Sequence, residues 1–365
     1  MYEIRDQIRY EKTMHDDSTV IGSWAVAIAR ALGAYGCDSQ KVFAEAGIDL
    51  DTTSDPDVRF PIGKVNQVWK LAVKATEDPG FGLTVAEFVL PTTFHALGYS
   101  MWASSTLRSA FLRLVRYYRL VADVAELTLE ETDADSRLVG YVLYPGLAYE
   151  AQDAGAACII KVCRVLYKPD LNPVSIALTR PEPKSSEKFQ QYFNAPVRFS
   201  ASAFALVFRK QDLDAPLPGS NPELAQYSDH VAAECLARLD KDRIVTQVYA
   251  KLIEQLPSGE PTEEKIAQSL HMSLRSLQRR LSEEDTSYRD IVDRTREELA
   301  SEYLKQRHLS LGEIAFMLGF SDSSNFSRAF KRWTGLAPSN YRATLTDPNV
   351  LAEHRPTQDL NKGMH

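Results

Sequence analysis

From Ser273 to Leu281 the chain reads Ser-Leu-Arg-Ser-Leu-Gln-Arg-Arg-Leu. Wound as a helix, it gathers Leu274, Leu277 and Leu281 into one stripe. Arg275, Ser276 and Arg279 then point outward, with Gln278 on the flank. These side chains share a chemistry. A guanidinium fork donates two parallel hydrogen bonds, matching O6 and N7 of guanine, and a carboxamide donates and accepts as adenine N6 and N7 require. A second stretch repeats the arrangement: Phe326, Ala329, Phe330 and Trp333 share one face, so Ser324, Arg328 and Lys331 face outward. A helix of this kind fits the major groove of duplex DNA, where all four base pairs are distinguishable. The first helix carries the stronger base-reading set. The second, with Ser323, Ser324 and Asn325 near its start, is expected to lean on phosphate contacts through Arg328, Lys331 and Arg332.

The elements that must position these helices are themselves duplicated. Ile266-Ala267-Gln268-Ser269-Leu270-His271-Met272-Ser273 precedes the first, and Ile314-Ala315-Phe316-Met317-Leu318-Gly319-Phe320-Ser321 the second, about 48 residues on. Thr262 can cap the first supporting helix, with Glu263 and Glu264 at its positive end. Ser310-Leu311-Gly312-Glu313 is a capping box for the second, and Gly319 suits a left-handed helix terminus. The small Ala267 and Ala315 let two helices cross closely and steeply, as a helix-turn-helix requires. A single basic amphipathic helix is an ordinary solvated face; two copies with the same support are not.

The stretch Gly319–Pro338, closed by Tyr341-Arg342, resembles the DNA-binding domain of the AraC/XylS family of bacterial transcription regulators, and Ser273–Arg280 with Thr286-Ser287-Tyr288 matches its first half. The resemblance covers about 100 residues. It implies two helix-turn-helix units on one rigid all-α domain, with a connecting helix over Tyr288–Leu304 that would span roughly 25 Å and suit two reading helices in successive major grooves ~34 Å apart. It also implies an operator in double-stranded DNA, an activator's role and RNA polymerase as a partner. One position departs from the pattern. Asp285 stands where the family commonly has glycine and where the second copy has Gly335; aspartate tolerates left-handed backbone better than most residues.

Upstream, helical periodicity from Gly22 (Trp24, Ile28, Ala31, Leu32, Tyr35) gives way to further helical segments at 39–46, 62–76, 80–88 and 106–120. Strand-like runs follow at 124–129 and 138–144, joined through Thr132-Asp133-Ala134-Asp135. A helix over 149–167, a strand over 174–179, a helix over 187–193 and a strand over 205–208 complete an α+β domain. Residues 1–20 read as a flexible lead and 21–211 as this domain. Residues 212–240 read as a Pro/Gly linker plus interdomain helix, 241–345 as the DNA reader and 346–365 as a disordered tail. Asp78–Leu83, Ala96–Tyr99 and Thr106–Phe111 resemble, more loosely, the arabinose-binding-like effector domain of regulators of the ornithine-utilisation type. That implies a small-molecule sensor. His95, Tyr99 and Tyr117 are the candidate effector contacts, since they offer polar groups within an aromatic-rich stretch.

Composition bounds the alternatives. The 365 residues carry a formal charge of −7, which excludes indiscriminate coating of nucleic acid; a reader needs positive charge only where it touches phosphate. The four cysteines and seven histidines are scattered, without metal-ligand spacing, and no nucleophile elbow, P-loop or dinucleotide fingerprint occurs. No enzyme, cofactor or metal is therefore expected, and no spanning helix or secretory leader, so the cytoplasm is the expected compartment. The helix over 222–239 offers Leu224, Val231, Ala232, Cys235 and Leu236 as a self-complementary seam for a homodimer. A constitutive DNA binder, its first domain serving oligomerisation alone, is the rival to a sensor.

Overall fold

The computed structural model describes residues 18–344 apart from Asp133, Lys241, Asp242, Glu260 and Arg307. It divides into two compact units that join at Leu239 and Asp240. The expected tail, 346–365, lies outside the described residues, as do residues 1–17 of the expected lead. The end of that lead is not loose: Ser18 and Val20 are buried, and β1 (Thr19–Ile21) pairs antiparallel with β2 (Arg59–Pro61).

The first unit is α+β, as its alternating run of helix and strand patterns predicts. A five-stranded sheet has the order β3-β4-β7-β5-β6. The expected hairpin joins β3 (Ala125–Glu131) to β4 (Asp135–Val142), with Leu127 opposite Gly140 and Leu129 opposite Leu138. Thr132 closes its turn, its N–H donating to Asp135 O at 2.9 Å. β7 (Phe204–Arg209) runs antiparallel to both β4 and β5 (Ser175–Ala177), and β6 (Val197–Arg198) pairs parallel to β5. The helices of this unit up to residue 193 are α1 (Gly22–Ala34), α2 (Ser39–Glu45), α3 (Ile62–Thr76), α4 (Phe81–Glu87), α5 (His95–Trp102), α6 (Leu107–Val121), α7 (Tyr149–Leu166) and α8 (Ser186–Phe193). Gly82 explains part of one loose motif. A Cβ there would lie 2.3 Å from Glu150 O, so only glycine lets α4 close on α7.

The linker expected from Asp212 to Asn221 is corrected. Its first residues finish a short helix, α9 (Lys210–Asp214), and Leu213 and Leu217 are buried at 0% and 4% exposure. Leu217 N–H donates to Ser105 O and Asn221 N–H to Ala103 O, both at 2.9 Å. The prolines here fix a packed turn rather than a spacer. α10 (Pro222–Leu239) likewise belongs to the first unit and is bolted to α6. Arg113, 7% exposed, donates Nε to Asp229 at 2.9 Å and Nη1 to Ser104 Oγ at 3.1 Å. The expected dimer seam on α10 is therefore broken: Ala232 and Leu236 are buried within the subunit, while Leu224 is exposed.

The second unit is all helical: α11 (Ile244–Gln255), α12 (Glu263–Ser269), α13 (Leu274–Glu283), α14 (Tyr288–Leu304), α15 (Leu311–Met317), α16 (Ser323–Thr334) and α17 (Pro338–Thr344). It has two apolar cores. Ile266, Leu277 and Leu281 pack with Ile291 and Val292 in the first; Ile314, Phe326 and Phe330 pack with Ala300 and Leu304 in the second. α14 supplies both, through its two ends, and Leu299 touches each. One continuous helix thereby fixes the two halves to each other.

Candidate nucleic-acid interface

α12 is capped as its sequence predicts, Thr262 Oγ1 accepting Lys265 N–H at 3.3 Å. The turn beyond it needs one left-handed residue, and His271 (φ 55°) fills the place that Gly319 (φ 71°) fills in the second copy. Ser273 then caps α13, accepting Ser276 N–H at 3.2 Å. Leu277 and Leu281 are buried and Leu274 half-buried, so Arg275, Gln278 and Arg279 stand exposed. Ser276 differs from expectation. It is half-buried, and its hydroxyl accepts from Ser273 Oγ at 3.0 Å as part of the cap. Two of the outward side chains carry an acidic partner: Gln278 Nε2 donates to Glu263 at 3.1 Å and Arg279 Nη1 to Glu283 at 2.6 Å. Arg275 has no such partner among the described residues.

In the second copy, Ser310 and Glu313 form the expected capping box of α15, with bonds of 3.2 and 2.7 Å. Asp322 caps α16, accepting Asn325 N–H at 2.7 Å, and that bond holds its carboxyl below the usual carboxylate range. Ser323, Ser324, Arg328, Lys331 and Arg332 are exposed. Asn325 is half-buried and committed, its amide donating to Asp322 (2.6 Å) and Ser321 (3.0 Å) and accepting from Arg328 (2.6 Å). Arg332 pairs with Asp293 of α14 at 3.2 Å. Asp285 adopts φ 53° and Gly335 φ 78°, so the aspartate keeps the turn.

Two arginines of α14 went unremarked in the sequence. Arg289 is exposed and shares a groove with Arg328 and Arg332. Arg296 is 5% exposed; it donates Nε to Leu318 O at 2.9 Å and Nη2 to Gly319 O at 3.2 Å, over the ring of Phe320 at 4.3 Å. It occupies the carbonyl end of α15, where a cation is favoured. Its place on the buried side of α14 is the only mark the sequence gives.

The first unit holds an apolar cavity of about 140 Å³, walled by sheet residues such as Leu127 and Phe204 and by α6 and α7. None of the three expected effector contacts lines it. Tyr117 is fully buried and donates its hydroxyl to Asp229 O at 3.3 Å, holding α10. Tyr99 is 44% exposed on the outside of α5. His95 begins that helix at φ 48°, and burial lowers its imidazole below the usual range. The neighbouring Tyr118 does line the cavity, with Gln152 of α7.

Comparison with known proteins agrees with both units. Residues 36–217 match the arabinose-binding N-terminal domain of AraC transcription regulators, and residues 266–344 match a helix-turn-helix domain. The ornithine utilization regulator of Pseudomonas aeruginosa is 30% identical over 323 residues, covering 88% of this chain and 95% of that one. An uncharacterised helix-turn-helix-type transcriptional regulator of Mycobacterium tuberculosis is 28% identical, covering 84% and 91%. VirS, a helix-turn-helix-type transcriptional regulator of the same species, is 27% identical, covering 73% and 79%. These relatives are regulators rather than enzymes. Among the described residues no helix is long and apolar enough to cross a membrane. With its sheet-bearing first unit, its paired helix-turn-helix second unit and a relative matched along nearly its whole length, the chain belongs to the AraC family of DNA-binding transcription regulators.

Proposed function

We propose that the chain is an effector-responsive transcription activator of the cytoplasm, each subunit of which reads two segments of its operator. Arg275, Gln278 and Arg279 of α13 read base edges. Ser323, Ser324 and Asn325 of α16 approach the groove, while Arg328, Lys331 and Arg332 hold phosphates. The observation that carries this is α14, one 17-residue helix whose two ends are buried in the two cores beneath the two exposed faces. RNA polymerase is the protein partner that activation requires. A second copy of the chain is a further partner, and on α10 a pairing surface is left with Leu224 and Tyr227, both exposed. The cavity of the first unit takes the effector. An effector shifts such a protein only if it favours one of two arrangements. Hydroxyl-radical footprinting of the full chain on an operator selected from random duplexes tests the core of the proposal. Two protected segments about one helical turn apart per subunit are expected, and protection of a single groove would refute it.

A further inference from the structure

The walls of the first unit's cavity specify what can enter it. Among the described residues that line it there is no aspartate, glutamate, lysine, arginine or histidine. Its polar content is the Gln152 amide, the Tyr118 hydroxyl, the Cys158 thiol and the indoles of Trp24, Trp69 and Trp102. Burial pushes both Tyr118 and Cys158 up to about 12, so they stay protonated and neutral. Gln152 accepts from Thr179 Oγ1 at 2.5 Å, which leaves its N–H groups as what the amide can still offer. A charge brought into such a site would lose its water and find no counter-ion, a penalty of several kcal/mol per ion. The volume, about 140 Å³, is close to the ~150 Å³ of an apolar cavity that holds one benzene.

We infer that this cavity takes a small uncharged ligand, one ring or short alkyl chain bearing a single neutral acceptor, which Gln152 and Tyr118 recognise by donation. The inference rests on the effector-sensing function proposed above and adds the ligand's class. Ornithine, whose utilization gives one relative its name, carries two ammonium groups and a carboxylate, and has no partner for any of them here. The remaining space is opened by Gly155. This glycine of α7 lines the cavity, and a Cβ built on it meets nothing within 4 Å. A side chain there grows into the void rather than into the protein.

Calorimetric titration of the full chain with benzyl alcohol, benzamide, benzoate and ornithine tests the class. Benzyl alcohol or benzamide is expected to bind at least about tenfold more tightly than benzoate, with no heat from ornithine at about 1 mM. Gly155→Ala keeps that binding, and Gly155→Leu, which fills the space, loses it at an undiminished melting temperature. Benzoate or ornithine binding as tightly as the neutral probes, in a manner lost in Gly155→Leu, would overturn the class and leave the sensor intact. Absence of binding by both neutral probes at about 1 mM would also overturn it. A reporter on the operator separates the two proposals. If parent and Gly155→Leu drive it equally under every growth condition tried, the sensing function itself falls.

Discussion

Replacing Arg296 by methionine should loosen one helix-turn-helix and spare the other. The side chain is 5% exposed, donates to Leu318 O and Gly319 O, and stacks on Phe320. Hydrogen bonds from a charged donor contribute ~1.5–3 kcal/mol each, and a desolvated cation–π contact adds ~1–2. Methionine restores the bulk and removes the cost of keeping a guanidinium dry, so the net loss is set at ~3 kcal/mol, from the low end of those values. The loss falls on the second core, because both carbonyls end α15. Hydrogen exchange of the full chain reads it locally. Amides over 311–334 should lose protection by roughly 100-fold, while those over 263–283 change little. The footprint should lose its second segment at temperatures where the first persists. Arg296→Lys should fall between, since a point charge satisfies one carbonyl and cannot stack as a plane. Unchanged protection over 311–334 in Arg296→Met would refute this account of how α14 holds the second reader.

Arg279→Ala should cost ~1–3 kcal/mol on the operator and relax preference at one base pair; competition binding on single-base operator variants checks this, and unaltered selectivity would remove Arg279 as a reader. Glu283→Gln releases Arg279 from its 2.6 Å exposed ion pair and removes a negative charge from the reading face. DNA of any sequence should then bind more tightly by a few fold, and the salt slope should steepen; weaker binding across sequences would contradict it. His271→Gly should stabilise the second unit by ~0.5–1 kcal/mol in urea denaturation, because the turn holds that residue at φ 55°. A lower midpoint would mean that the imidazole contributes something the turn geometry does not account for.

What could be read ahead of the structure was what local physics decides. The Ser310–Glu313 box marked where α15 starts, and the connecting helix expected over 288–304 is α14. Of the strands of two or three residues, β5 lies inside the run expected over 174–179, and the other three were beyond such reading. β1, β2 and β6 exist because a distant segment pairs with them, as Val20 does with Phe60. The segment 212–221 misled for the same reason. Pro216, Pro218 and Gly219 among polar residues look like a spacer, yet Leu213 and Leu217 lie buried because Ser105 and Ala103, over a hundred positions away, supply the backbone partners.

The outward faces of α13 and α16 follow from the helical period, so most of their side chains were placed correctly from sequence. The acidic partners that come from other helices, Glu263 and Asp293, were not. The cavity was harder still, because the residue types that wall it are those of a core. Tyr117 and Tyr118 show the difficulty most directly. Adjacent residues on a helix point about 100° apart, and α6 has two inward faces rather than one. Leu114, Tyr118 and Val121 share the stripe on the cavity, while Arg113 and Tyr117 share the stripe that holds Asp229 of α10. Both stripes are apolar enough to be buried, so periodicity along α6 alone assigns neither tyrosine to a ligand. What separates them is Arg113. A cation four positions before Tyr117 marks that face as one needing a carboxylate partner, and α10 supplies it. The face left without any charge is the one that lines the cavity.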